Sequence, residues 1–170
     1  MRRDDKAPLS EFEVIGPLEI PTDGDLIPKE AVRDFWAAQG NLAEARGCYV
    51  FALRTGGGVM PVYVGRATNT FKQECFAAHK LAYHYLPALE RNVGTPVMFF
   101  VKQISRRNIS MVAKLEDFLI QIALEKNPEL SNIARTHRET FRIHGVHNSG
   151  PGKPSKDALA FRQAMGFKAL

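Results

Sequence analysis

Two tyrosines stand in neighbouring segments that both have the composition of β-strands. Tyr49 ends the tripeptide GCY, and Tyr63 begins the tripeptide YVG. A buried hairpin needs apolar side chains, but it does not need two phenols. A phenol on a strand can position or deprotonate a water molecule if a metal ion or another cation lowers its pKa. The alternative is that both tyrosines are ordinary strand aromatics with their hydroxyls at the edge of a sheet.

A zinc site is a second chemistry to consider, because Cys75 and His79 stand one helical turn apart and His84 follows. Zinc sites usually have four ligands. The remaining histidines lie far along the chain in its last third, so the sequence disfavours a zinc site.

The overall composition is that of one globular domain with terminal extensions. The chain has 170 residues, of which 45% are hydrophobic and 24% charged. The formal net charge of +5 and the pI of about 9.4 suit a polyanionic partner such as nucleic acid, although a mildly basic protein without such a partner has the same numbers. No apolar run is long enough for a membrane span, and no secretory signal is present, so we expect no membrane association and a cytoplasmic location. Cys48 and Cys75 are predicted to be free thiols.

The elements that position the two tyrosines are predicted from hydrophobic periodicity and turn residues. Two short strands around a glycine-rich turn predict a hairpin, and an almost wholly apolar run predicts a buried third strand. Helical patterns precede the hairpin, separate it from the third strand, follow the third strand and end the chain. The predicted strands are 48–53, 60–64 and 97–104, and the predicted helices are 28–40, 71–80 with a possible continuation to 89, 111–126, and a last one capped by Ser155.

Helix caps and one further strand complete these predictions. Thr68 or Asn69 is expected to cap the helix after the hairpin, and Asn108 or Ser110 the helix after the third strand. Residues 9–21 have room for one short edge strand. This order predicts an α+β fold with a three-stranded, mostly antiparallel sheet flanked by helices. The predicted organisation is an N-terminal extension with one helix (1–46), a core (47–133) and a basic C-terminal extension with a final helix (134–170).

The core resembles the GIY-YIG nuclease superfamily. GCY stands where that family has GIY, and YVG where it has YIG. Glu116 lies on the helix after the third strand, as a family glutamate does, and Pro128 followed by Asn132 is similar to the family's ending. The family's arginine on the first helix is missing. In its place the chain has FKQECFAAHK, which is similar to a bacterial subgroup with an F-K-x-E-x-F-x-x-H-K helix.

The resemblance implies a metal-dependent endonuclease and gives roles to particular residues. Tyr49 positions or deprotonates a water molecule, and Tyr63 supports it by hydrogen bonding. Glu116 holds a mostly hydrated Mg²⁺ or Mn²⁺. Gly65 lets a phosphate approach the backbone closely, and Asn132 orients the ligand shell or closes the site.

The missing arginine leaves one role without an assigned residue. Lys72, Arg66 and His79 are the candidates, since helical spacing places Lys72 and His79 on one face together with Cys75 or Phe76. A lysine lacks the bidentate phosphate contact of arginine. The catalytic set predicted here is therefore Tyr49, Tyr63, Lys72, His79 and Glu116.

Nucleic-acid contacts are expected from residues near the predicted site and from the basic tail, although a solvated tail is an equally good interpretation. The predicted contacts are Gly65, Arg66, Lys80, Asn132, Arg135 and Arg138. Two functions remain open: a DNA endonuclease, or a module of the same fold that has lost catalysis and binds nucleic acid or a protein partner. The terminal extensions are candidate surfaces for such a protein partner.

Overall fold

The computed structural model describes residues 11–132 and 141–168, which form an α+β fold around one mixed sheet. Its five strands are β1 (Glu11–Glu19), β2 (Gly47–Thr55), β3 (Gly58–Ala67), β4 (Thr95–Gln103) and β5 (Arg142–Ile143). They lie in the order β3-β2-β4-β1-β5, with antiparallel pairs except for the parallel pair of β1 and β5.

The predicted three-stranded sheet is therefore too small. The hairpin and the third strand are confirmed as β2, β3 and β4, but the segment expected to hold one short edge strand is the nine-residue β1, which lies between β4 and β5. Gly16 and Pro17 interrupt its pattern, since proline cannot donate to a strand ladder. A register shift between Ile15 and Leu18 accommodates them and lets the strand continue.

Both ranges that flank the predicted core contribute strands to this sheet, β1 from the N-terminal side and β5 from the C-terminal side. The division at residues 46 and 133 stays a prediction.

Alternation along β2 separates the core into two layers. Cys48, Val50 and Ala52 face the layer that contains α5 (Ser110–Lys126) and α6 (Lys156–Met165), while Tyr49, Phe51 and Leu53 face the other layer. That second layer contains α1 (Lys29–Ala38), a 3₁₀ turn (Gly40–Glu44) and the helical segments that follow β3. Tyr63 pairs with Phe51 and therefore lies on the same side of the sheet as Tyr49, and a bulge separates this pair from the pair Ala52–Pro61.

The predicted continuous helix after the hairpin is wrong, because the chain leaves helical geometry at residues 75–77. A short α2 (Phe71–Glu74) is capped by Thr70, not by Thr68 or Asn69, since the Thr70 hydroxyl accepts a hydrogen bond from the Gln73 amide. After the break come α3 (Ala78–Lys80), a π-helical turn (Leu81–Tyr85) and α4 (Leu86–Arg91) without interruption. Pro87 is the second residue of α4 and directly follows the π-helical turn.

The other helices largely follow the predictions. The Ser155 hydroxyl accepts from the Ala158 amide and caps α6 as expected. Helix α5 begins after Ile109 without a side-chain cap, so neither Asn108 nor Ser110 has the predicted role. Both cysteines are buried free thiols. Among the described residues, no helix combines the length and the apolar character of a membrane span.

Candidate active site

Tyr49 is fully buried and depends on a glycine across the ladder. It pairs with Gly65 of β3, and its ring lies so close to the Gly65 Cα that a Cβ atom there would collide with it. Only a residue without a side chain leaves room for the phenol. The YVG tripeptide therefore has a packing reason for its glycine, in addition to the predicted approach of a phosphate.

The Tyr49 hydroxyl is buried and has no hydrogen-bond partner among the described residues. The Tyr63 and Tyr85 side chains interact with it, but neither reaches hydrogen-bond geometry. Burial raises the pKa of Tyr49 far above its usual range, and the phenols of Tyr85 and Tyr63 and the thiol of Cys75 add to the shift. Tyr49 is thus protonated at neutral pH.

Lys80 places a positive charge beside the ring of Tyr49. Its Nζ lies 5.2 Å from the centre of the Tyr49 ring, at cation–π distance. Lys80 is only 6% exposed, and it donates to the Glu74 carbonyl at 2.8 Å and to the Glu74 carboxylate at 3.3 Å. The break after α2 makes this possible, because it brings Glu74 back over the start of α3.

Tyr63 lies between Tyr49 and His84. Its ring centre is 6.3 Å from that of Tyr49 and stacks at 4.2 Å on the His84 imidazole, whose Nδ1 is 2.6 Å from the Ser131 hydroxyl. Burial, followed by the Glu116 carboxylate, raises the pKa of Tyr63 to about 12. Burial also lowers the pKa of His84, and His79 and Lys80 lower it further. Tyr63 therefore remains a hydrogen-bond donor at neutral pH.

Glu116 approaches the same edge of the sheet from the opposite face. It lies on α5, its side chain is 18% exposed, and its carboxylate is 3.4 Å from the guanidinium of Arg66 on β3. Burial raises the pKa of Glu116, while Arg66 and Lys80 oppose that shift.

Asn132 holds the outer edge of β3 next to these groups. Its amide accepts from the Val64 N–H at 2.7 Å and donates to the Val64 carbonyl at 2.6 Å. The neighbouring Ser131 N–H donates to the Val62 carbonyl at 2.9 Å. Asn132 therefore fixes the strand that carries Tyr63, Gly65 and Arg66.

Most of the predicted site residues thus meet at the end of β3. They are Tyr49, Tyr63, Gly65, Arg66, Lys80, Glu116 and Asn132. Lys72 and His79 lie exposed on α2 and α3 on either side of the helix break, so the shared helical face from which they were chosen does not exist. Their catalytic roles stay predictions. Arg135 and Arg138 lie outside the described residues.

His84 was not among the predicted site residues. It stands four residues after Lys80 on the same helical segment. That i, i+4 spacing is a signal that could have pointed to it, and it is the same in a helix that starts at residue 71 as in one that restarts at Ala78.

The site offers one carboxylate, that of Glu116, which suits a divalent metal ion that keeps most of its water ligands. Among the described residues, no group of three or more histidines, cysteines, aspartates or glutamates is placed to hold a metal ion. Mg²⁺ keeps several of its waters and needs only one or two carboxylates. Glu116 can supply one, provided that the guanidinium of Arg66, whose side chain is 47% exposed, moves away from it.

Comparisons of the chain with protein-family models, with curated proteins and with solved structures found no match.

Proposed function

We propose that this protein is a metal-dependent DNA endonuclease with a GIY-YIG-like fold and its active site at the end of β3. The observation that supports it most is the contact between Glu116 and Arg66 beside Tyr63. A carboxylate, a guanidinium and a phenol reach this point from two faces of the sheet. Phosphodiester hydrolysis requires groups of these types, to hold the nucleophile and to neutralise charge on the phosphate.

In this mechanism Arg66 takes the role of the missing helix arginine. The Arg66 side chain is 47% exposed, whereas that of Lys80 is buried against Glu74. A guanidinium can also make a bidentate contact with a phosphate. Tyr63 donates a hydrogen bond that orients the attacking water or a phosphate oxygen, and His84 and Tyr49 hold its ring from two sides.

Glu116 would hold Mg²⁺ or Mn²⁺ once Arg66 turns to the phosphate, and an ion held there would supply Lewis-acid stabilisation of the phosphate charge. Lys80 counters the desolvation of Glu116, because its charge favours the ionised carboxylate that a metal ion needs. The proposed substrate is DNA, the proposed location is the cytoplasm, and a protein partner on the terminal segments is compatible with this site.

A second candidate is a module of the same fold that binds nucleic acid or protein without cleaving it. The complete burial of Tyr49 favours this alternative, because a buried phenol has no direct access to substrate.

A nicking assay on supercoiled plasmid in Mg²⁺ or Mn²⁺ tests the proposal. Glu116→Gln should reduce nicking by at least about 100-fold, whereas Glu125→Gln, an exposed glutamate of the same helix, should leave it unchanged. Tyr63→Phe should also reduce nicking, and Tyr83→Phe, which alters an exposed phenol, should not.

The assay also separates the two functions. Metal-dependent nicking that disappears in Glu116→Gln but not in Glu125→Gln supports the endonuclease. DNA binding without nicking by the wild-type protein, in either metal, supports the binding module. Nicking that persists in Glu116→Gln contradicts the site.

A further inference from the structure

Three arginines come together at the end of the sheet next to the candidate active site. Arg46 immediately precedes β2, while Arg106 and Arg107 lie in the loop between β4 and α5. The first pair of the β2–β4 ladder is Gly47 with Lys102, so the residues beyond this pair on both strands lie side by side. We call Arg46, Arg106 and Arg107 the arginine corner.

The arginine corner is held by a buried amide. Gln103 is 5% exposed, and its carbonyl oxygen accepts from Arg46 Nε at 2.9 Å. Its NH₂ group donates to the Arg107 carbonyl at 2.9 Å and to the Asn108 carbonyl at 3.3 Å. One buried side chain thus fixes both the first arginine and the loop that carries the other two.

The remaining contacts of the corner are also made to neutral oxygens. Arg46 donates to the Arg106 carbonyl, and Arg106 donates to the Glu44 carbonyl at 3.4 Å. Within the described ranges, no carboxylate forms an ion pair with any of the three guanidinium groups. Other arginines have such a partner: Arg33 with Asp34, Arg54 with Glu19 and Arg142 with Glu11.

Positive charges gathered on neighbouring arginines repel one another, which is unfavourable unless an anion joins them. Their backbone is nevertheless fixed, and Arg106 and Arg107 are exposed. The pattern is therefore that of a preorganised anion-binding surface. Several neighbouring guanidinium groups suit a ligand that carries several phosphates in a row.

The corner lies at the same end of the sheet as the candidate active site. Cys48, two residues after Arg46, pairs with Arg66 across the β2–β3 ladder. The Cys48 thiol also contacts the Val112 carbonyl at 3.3 Å, one helical turn before Glu116 on α5. Arg46 and the Arg66–Glu116 pair are therefore close along the chain and across the ladder.

We propose that the arginine corner binds successive phosphates of a DNA strand and directs that strand to the Arg66–Glu116 site. This inference rests on the proposed function, because it takes DNA to be the partner. It assigns sequence-independent backbone binding to Arg46, Arg106 and Arg107.

The test is the salt dependence of binding to a short fluorescein-labelled DNA duplex, measured by fluorescence anisotropy in EDTA over a series of KCl concentrations. The slope of log K against log salt is negative, and each lost phosphate contact reduces its magnitude by about 0.9. Arg106→Ala with Arg107→Ala should therefore make the slope shallower by about 1.8. The control is Arg33→Ala with Arg54→Ala, which removes the same charge elsewhere and should leave the slope close to the wild-type value. Arg106→Lys with Arg107→Lys should also retain it, since the positive charges remain.

Two results would overturn the proposal. One is a slope that is equal in the corner variant and in the control variant. The other is a wild-type protein that does not bind the duplex, including one that binds only vesicles of anionic lipid. Because EDTA prevents metal-dependent cleavage, this outcome is independent of the nicking assay. If the corner variant has a shallower salt slope but the wild-type protein does not nick DNA, the arginine corner binds the DNA backbone and the binding module is supported. If the wild-type protein nicks DNA but the salt slope of the corner variant is unchanged, the endonuclease is supported and the role of the corner is not.

Discussion

Replacing Tyr49 by phenylalanine should stabilise the protein, whereas the same change at Tyr85 should destabilise it. Both side chains are fully buried and they share one layer of the core. The Tyr85 hydroxyl donates to the Cys75 carbonyl at 2.7 Å, but the Tyr49 hydroxyl has no hydrogen-bond partner among the described residues. The same atom is removed in each variant, so only its hydrogen bonding differs.

The magnitudes follow from the cost of an unsatisfied polar group. Burying a hydroxyl without a partner costs about 1–3 kcal/mol, and a satisfied one contributes about 0.5–1.5 kcal/mol. We therefore expect Tyr49→Phe to raise the free energy of unfolding by about 1 kcal/mol or more and Tyr85→Phe to lower it by about 1 kcal/mol. For a chain of 170 residues, each kcal/mol shifts Tm by roughly 2–4 °C.

Urea unfolding followed by far-UV circular dichroism measures both changes. The midpoints should move in opposite directions at a constant m-value, since an altered m-value indicates a changed denatured state. A loss of stability in Tyr49→Phe as large as that in Tyr85→Phe would refute the reasoning, because it would mean that the Tyr49 hydroxyl has a partner in solution.

Two other predictions concern packing and pH. Gly65→Ala should lower the free energy of unfolding by about 1–3 kcal/mol, because the new Cβ would collide with the Tyr49 ring. The control is Gly56→Ala, which should change the free energy of unfolding little because there is open space around Gly56. Equal urea midpoints for the two variants would contradict the collision. Burial lowers the pKa of His147, so the folded protein binds this proton less readily than the unfolded chain does, and stability should fall as the pH drops through about 6.5. His147→Gln should weaken this dependence in urea midpoints measured across the pH range, and an unchanged dependence would exclude His147 as a source.

The elements that sequence patterns predict well are those whose hydrophobic period agrees with their local turn residues. The hairpin of β2 and β3 and the buried β4 were predicted for this reason, and so was the cap at Ser155. The full extent of β1 was not, because Gly16 and Pro17 interrupt its period and only the tertiary pairing with β4 overrides them.

The candidate site follows the same rule. Tyr49, Tyr63 and Glu116 lie on elements whose type was predicted, and the structure brings them near one edge. The burial of Lys80 and the stacking of His84 depend on the helix break at residues 75–77 and on the π-helical turn, neither of which has a clear local signal. The arginine corner joins Arg46 to Arg106, which is 60 positions away, and requires the β2–β4 register.

The segment that follows α5 also has a consequence for self-association. An exposed edge strand presents unpaired N–H and C=O groups on which a strand of another molecule can add. Along β3, the segment after α5 forms hydrogen bonds with several of these backbone groups. The Asn127 side chain donates to the Pro61 carbonyl, the Ser131 N–H donates to the Val62 carbonyl, and the Asn132 side chain bonds both backbone groups of Val64. The other border of the sheet is β5, whose two residues are too short to template a strand. The contacts that fix the candidate active site thus also protect the sheet against edge-to-edge aggregation.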